Sequence, residues 1–114
     1  MAEQDKGPLA DRECVPCEGG VPPLEGEELQ EMMDQLGGDW ELVEGKKLKK
    51  KFKFDDFAQA LAFTNKVGEL AESVGHHPDI LLTYGKVTLT IWTHKIGGLS
   101  EADFVFAAKA DKLD

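Results

Sequence analysis

The tightest constraint on this chain is the alternation from Lys47 to Phe54. Leu48, Phe52 and Phe54 share one side with Lys50, while Lys47, Lys49, Lys51 and Lys53 share the other. Side chains leave a strand on alternate faces, so this segment is expected to be a half-buried antiparallel strand with a wet outer face. Its lysines also discourage edge-to-edge pairing. Trp40-Glu41-Leu42-Val43 supplies a strand before it and Glu44-Gly45-Lys46 the turn, which makes residues 39–54 a hairpin. The basic run is accounted for as a solvated strand face.

The spacing then turns helical. Phe57, Ala60, Leu61, Thr64, Val67, Ala71 and Val74 make one stripe over residues 55–74, widened by Phe63 and Leu70. Asp55 or Asp56 can cap its start. Gly75 suits a left-handed stop, and Pro78 prevents the helix from resuming. Strands are expected at 79–84 and 87–93, joined by Gly85-Lys86. In the second, Val87, Leu89 and Ile91 face one way, and Thr88, Thr90, Trp92 and His94 the other. The aliphatic row is the expected core face. Ser100-Glu101-Ala102-Asp103 matches a capping box, with Leu99 able to staple onto Phe104, and opens a last helix to about Lys112. Leu29, Met32, Met33 and Leu36 give residues 24–36 a first short helix that stops at Gly37.

The order is therefore α-β-β-α-β-β-α. The simplest architecture is an α+β domain with a four-stranded antiparallel sheet and helices packed on one face. The row Thr88, Thr90 and Trp92 on the uncovered face is either wet or meets another subunit.

Composition divides the chain. Of the net charge of -9, residues 1–36 carry -8, from ten acids against Lys6 and Arg12, and residues 37–114 carry -1. An acidic arm over residues 1–23 is expected to precede a nearly neutral domain over residues 24–114. Gly7, Pro8, Gly19, Gly20, Pro22 and Pro23 leave the arm too little apolar surface to offset its ordering entropy. An acidic chain has no electrostatic reason to hold a nucleic-acid backbone. No apolar run approaches the roughly 20 residues of a membrane helix, and Met1 to Pro8 do not form a secretory signal. A cytoplasmic location is the default expectation. Cys14 and Cys17 form a Cys-x-x-Cys among glycines and prolines, away from any strand-helix-strand unit. Two thiols do not complete a zinc site. They are read as solvated thiols, with a disulfide or a subunit-bridging metal as the alternatives.

The three histidines are the natural candidates for chemistry near neutral pH, where imidazole can both give and take a proton. His76 and His77 stand in a rigid connector between Gly75 and Pro78, and His94 near a strand end. Glu72 lies four residues before His76, so its carboxylate can reach the connector. Adjacent histidines project in different directions, which argues against a three-histidine metal site. A plainer role for His-His-Pro is to satisfy the helix end through side-chain hydrogen bonds.

The spacing Glu72-x3-His76-His77-Pro78-x5-Tyr84-x9-His94-x8-Asp103 resembles the signature of the pterin-4a-carbinolamine dehydratases, with seven matching residues over positions 72–103. The element order resembles that family from about Leu24 onward, and the Cys-x-x-Cys arm with Gly-Gly-Val-Pro-Pro resembles bacterial members. The resemblance implies a hydro-lyase that removes water from a 4a-hydroxytetrahydropterin to give the quinonoid dihydropterin, in tetrahydrobiopterin recycling. It implies no metal and no organic cofactor. It makes His76, His77 and His94 the catalytic residues, Glu72 and Asp103 their supports, and Pro78, Asp79 and Thr93 substrate contacts. His76 and His94 are the expected proton-transfer pair, with His77 holding or orienting substrate. Asp103 could support His94, or serve only as the capping-box acid. The partners implied are a reduced pterin, further copies in a homodimer or homotetramer, and a functional link to an aromatic amino-acid hydroxylase. A non-catalytic binding role on the same fold, as a transcriptional coactivator or a carbon-fixing-enzyme assembly factor, is the alternative. Tyr84 and Trp92 are read as packing residues.

Overall fold

The computed structural model describes residues 23–37 and 39–114. The expectations for the arm, Cys14 and Cys17 included, fall outside the described residues except at Pro23. The elements are α1 (Gly26–Leu36), β1 (Glu41–Val43), β2 (Lys47–Lys53), α2 (Phe57–Val74), β3 (Asp79–Thr83), β4 (Lys86–Ile91) and α3 (Glu101–Leu113), with a 3-10 turn at His94–Ile96. This is the expected α-β-β-α-β-β-α order and the expected α+β architecture. The strands pair antiparallel in the order β1-β2-β4-β3.

The register explains the core. Phe52 stands opposite Val87, Leu48 opposite Ile91, and Ile80 opposite Leu89. Leu48, Phe52, Val87, Leu89 and Ile91 are all buried on the inner face, as their alternation requires. Ala60, Phe63, Val67 and Ala71 of α2 and Phe104, Val105, Phe106, Ala107 and Ala110 of α3 close over them. Each large side chain so buried contributes about 1.5–3 kcal/mol relative to exposure.

Lys50 is the one lysine of β2 on this inner face. Its Nζ lies 2.7 Å from Asp111 Oδ1, and Asp111 Oδ2 accepts from Trp40 Nε1 at 2.9 Å. A half-buried ammonium needs such a partner, and the contact ties α3 to the first hairpin. Lys49, Lys51 and Lys53 are exposed, as expected of the wet face.

Several boundaries and faces differ from expectation. β3 stops at Thr83, and Tyr84 is 72% exposed in the turn, so it is not a packing residue. β4 stops at Ile91; Thr93 then makes an isolated bridge to Gly98, and His94 sits in the 3-10 turn rather than on a strand. The α2 stripe is narrower than its spacing suggests: Phe57 and Leu61 are exposed. They share a helical row with Thr64 and Gly68, which borders an open groove between α2 and the edge strand β3, reaching Glu72 and Ile80. No helix among the described residues is long and apolar enough to cross a membrane.

Candidate active site

The end of α2 sets the first wall. Gly75 takes the left-handed conformation at φ 70° and ψ 26°, and its N–H donates to Ala71 O at 2.9 Å. The N–H of His76 donates to the same carbonyl at 3.2 Å. The backbone of His76 is thus part of the helix stop itself, its N–H sharing the carbonyl that Gly75 uses in its left-handed stop. The plainer role expected of the side chains is not what the structure shows: backbone N–H groups end the helix, and the imidazoles are turned to carboxylates instead.

The two imidazoles diverge. His76 Nε2 lies 2.6 Å from Asp103 Oδ1, and its ring packs 5.8 Å from that of Phe106. Asp103 and Phe106 are three apart on α3 and so share a face. His77 Nε2 lies 2.6 Å from Glu72 Oε2, back across the helix end. The His76 and Asp103 side chains are 13% and 0% exposed; those of His77 and Glu72 are 61% and 79% exposed.

Asp103 is held on every side. Its Oδ2 accepts from the Ser100 N–H at 2.8 Å and from the Thr93 hydroxyl at 2.7 Å, with Ser100 Oγ at 3.3 Å. It also lies in the first turn of α3, where the helix dipole favours an anion. A buried carboxylate needs this many donors to remain in the interior. The capping box was legible in the sequence; its second occupation, by His76, was not.

The opposite wall comes from the end of β4. Trp92 and His94 stack at 4.2 Å between centroids with 20° between planes, and Lys47 Nζ sits 4.3 Å from the centre of the Trp92 ring. The loop is pinned from behind. Thr93 N–H donates to Gly98 O at 2.8 Å, and Leu24 N–H to Leu99 O at 2.8 Å. A Cβ at Gly98 would lie 2.7 Å from Cβ of Pro23, so only glycine permits that approach. Gly75, His76, His77, Trp92, Thr93, His94 and Lys95 line one cavity of about 260 Å³ between the two walls.

A family model described as "Pterin 4 alpha carbinolamine dehydratase" matches residues 22–113. The chain belongs to that family. Dehydratases of this family are hydro-lyases, and the match covers all three helices and the whole sheet. A Rubrobacter xylanophilus protein named "Putative pterin-4-alpha-carbinolamine dehydratase" is 57% identical over 105 residues, 92% of this chain and 97% of its own length. One of the same name from Alkaliphilus metalliredigens is 52% identical over 91% of this chain and 94% of its own. The solved transcriptional coactivator/pterin dehydratase of Brucella melitensis superposes with a TM-score of 0.73 at 33% identity, covering 80% of this chain and 97% of that one. A pterin dehydratase-like protein solved as a RuBisCO assembly factor of the alpha-carboxysome superposes with a TM-score of 0.58 at 30% identity, covering 68% of this chain and 92% of that one.

Within this dehydratase fold the structure brings His76, His77, His94 and Thr93 to one cavity. Glu72 reaches the connector at His77. Asp103 meets His76 rather than His94, because α3 docks its first turn against the end of α2. Pro78 and Asp79 follow the histidines into β3 and are not among the lining residues, and Asp79 pairs with Thr90 in the sheet. Trp92 is more than a packing residue: it lines the cavity and stacks on His94. Its place in the outward row of β4 was a signal, but nothing local showed that His94 would fold back over it. Lys95 was not anticipated at the site. Among the described residues no group of three or more His, Cys, Asp and Glu stands where it could hold a metal ion.

Proposed function

We propose that this chain dehydrates a 4a-hydroxytetrahydropterin to the quinonoid dihydropterin by histidine acid/base catalysis. The observation that carries the proposal is the convergence of three imidazoles on one cavity, one of them braced by a buried carboxylate. In the reaction the bond from the tertiary carbon to its hydroxyl breaks, and the departing oxygen takes a proton to leave as water. The neighbouring ring nitrogen gives up its proton, and a carbon-nitrogen double bond forms between the two atoms. One group must give a proton and another accept one, and imidazoles suit both tasks near neutrality. His76 and His94 are the proposed pair, coming from opposite walls, and His77 is the donor that orients the substrate. Trp92, stacked on His94, fixes the plane of that imidazole beside the cavity. No step calls for a metal or an organic cofactor.

This reading extends to a cytoplasmic homo-oligomer whose product is reduced and reused by an aromatic amino-acid hydroxylase. His76→Ala and His94→Ala should each lower turnover in a direct dehydration assay by about a hundredfold or more. A double variant with wild-type turnover would remove the histidines from the mechanism.

A binding role is the second reading, favoured by the similarity to solved proteins described as a coactivator/dehydratase and as an assembly factor. The retention of His76, His77 and His94 around one cavity supports chemistry. Absence of turnover together with capture of a carbon-fixing enzyme would reverse that preference.

A further inference from the structure

We infer that Thr93 is a positioning residue: its hydroxyl, acting through Asp103, commits His76 to the tautomer with hydrogen on Nε2 and leaves Nδ1 as the proton-transfer atom. This rests on the proposed role of His76 and specifies the atom that performs it. It also reassigns Thr93, which the family resemblance makes a substrate contact.

The Thr93 hydroxyl has one hydrogen, and the nearest acceptor is Asp103 Oδ2 at 2.7 Å. The direction is held by the backbone, because Thr93 bridges to Gly98 through its N–H at 2.8 Å and is 7% exposed. A β-branched side chain on such a backbone has few rotamers to choose from. Oδ2 also accepts from Ser100 N–H at 2.8 Å. A carboxylate is an acceptor only. The 2.6 Å contact from Asp103 Oδ1 to His76 Nε2 is therefore a hydrogen bond only if Nε2 carries the hydrogen. Neutral imidazole has a single ring hydrogen, so Nδ1 is left with its lone pair. Removing the Thr93 donor takes one hydrogen bond from a fully buried carboxylate. Only Ser100 then holds Oδ2, so the carboxylate can turn away from Nε2 and no longer dictates which ring nitrogen carries the hydrogen.

The test is nitrogen NMR on the free protein with ¹⁵N-labelled histidine, assigning His76 by comparison with His76→Gln. The wild type should show a protonated Nε2 and an unprotonated Nδ1. Thr93→Val should show mixed tautomers, and Thr93→Ser, which keeps the hydroxyl, should keep the wild-type signals. In the dehydration assay Thr93→Val should lose about ten- to a hundredfold in kcat, the equivalent of one hydrogen bond to a charged acceptor, with KM little changed and Thr93→Ser restoring the rate. A hydrogen on Nδ1 in the wild type would overturn the inference. So would unchanged His76 signals in Thr93→Val, or a raised KM at constant kcat, the mark of a substrate contact. If Thr93→Val does not fold, the wild-type signals and Thr93→Ser still decide the matter. The signals are read without substrate, so a protein with the expected tautomer and no turnover would end the dehydratase reading and leave only the tautomer assignment standing.

Discussion

His76 and His77 are neighbours in the chain, and each places Nε2 2.6 Å from a carboxylate oxygen, yet the two pairs are physically different objects. His77 and Glu72 come from one helix end and stand largely in water. Their attraction is screened, and holding two exposed side chains in one geometry costs rotamer entropy, so such a pair is worth about 0.2–1 kcal/mol. His76 and Asp103 come from elements 27 residues apart and meet inside the protein. There the carboxylate is fixed by Thr93 and Ser100 through the oxygen that the histidine does not use. Equal distances thus describe an adjustable contact in one case and a preorganised one in the other. A proton-transfer group benefits from the second kind, because a fixed partner needs no rearrangement as charge moves.

The largest effect should follow from removing the carboxylate of the buried pair. Asp103→Ala leaves the Thr93 hydroxyl, the Ser100 N–H and His76 Nε2 without their acceptor. Breaking a buried, hydrogen-bonded pair costs about 3–5 kcal/mol. Urea denaturation should show a loss of that order, and turnover of the folded fraction should drop by about a hundredfold. A loss below about 1 kcal/mol would place this pair in the same class as the exposed one.

A cleaner separation comes from two double-mutant cycles, one for each pair. Combining His76→Gln with Asp103→Asn should reveal a coupling of about 1–3 kcal/mol, and combining His77→Gln with Glu72→Gln no more than about 0.5 kcal/mol. The free energies would be read from urea midpoints at constant slope. Equal couplings would erase the distinction drawn from burial.

The exposed pair was the more legible of the two in the sequence. Glu72 lies a helical turn before the connector, so local geometry alone brings its carboxylate there. Asp103 reads locally as a capping-box acid, and it is one. Its bond to His76 depends on where α3 docks, which no spacing within residues 100–113 encodes. The sheet was read well for the complementary reason. Period-2 alternation in β2 and β4 specifies the inner face directly, and Leu48, Phe52, Val87, Leu89 and Ile91 all obey it. Helical spacing does not say how wide a strip of α2 the sheet will cover, and Phe57 and Leu61 fall outside that strip. Lys47 illustrates the same boundary: alternation put it on the outer face, but its place over Trp92 depends on β2 lying beside β4.

The smallest effect is expected at Glu72, and its size carries the comparison. Glu72→Gln keeps the length and the hydrogen-bonding capacity of the side chain while removing its charge. Stability should change by less than about 0.5 kcal/mol, since an exposed pair contributes little. Turnover should fall only severalfold, because His77 orients the substrate in the proposed mechanism and keeps a hydrogen-bonding partner. What little effect there is should shrink with salt: at about 1 M, where the screening length is roughly 3 Å, variant and wild type should converge. The rates would be compared at low and high ionic strength, with Asp103→Asn alongside as the buried counterpart, whose deficit should persist at every salt concentration. A loss at Glu72 as large as that at Asp103, and as insensitive to salt, would mean that the exposed pair closes over bound substrate and becomes buried in the working complex. The two histidines would then differ only in the order in which their partners are fixed.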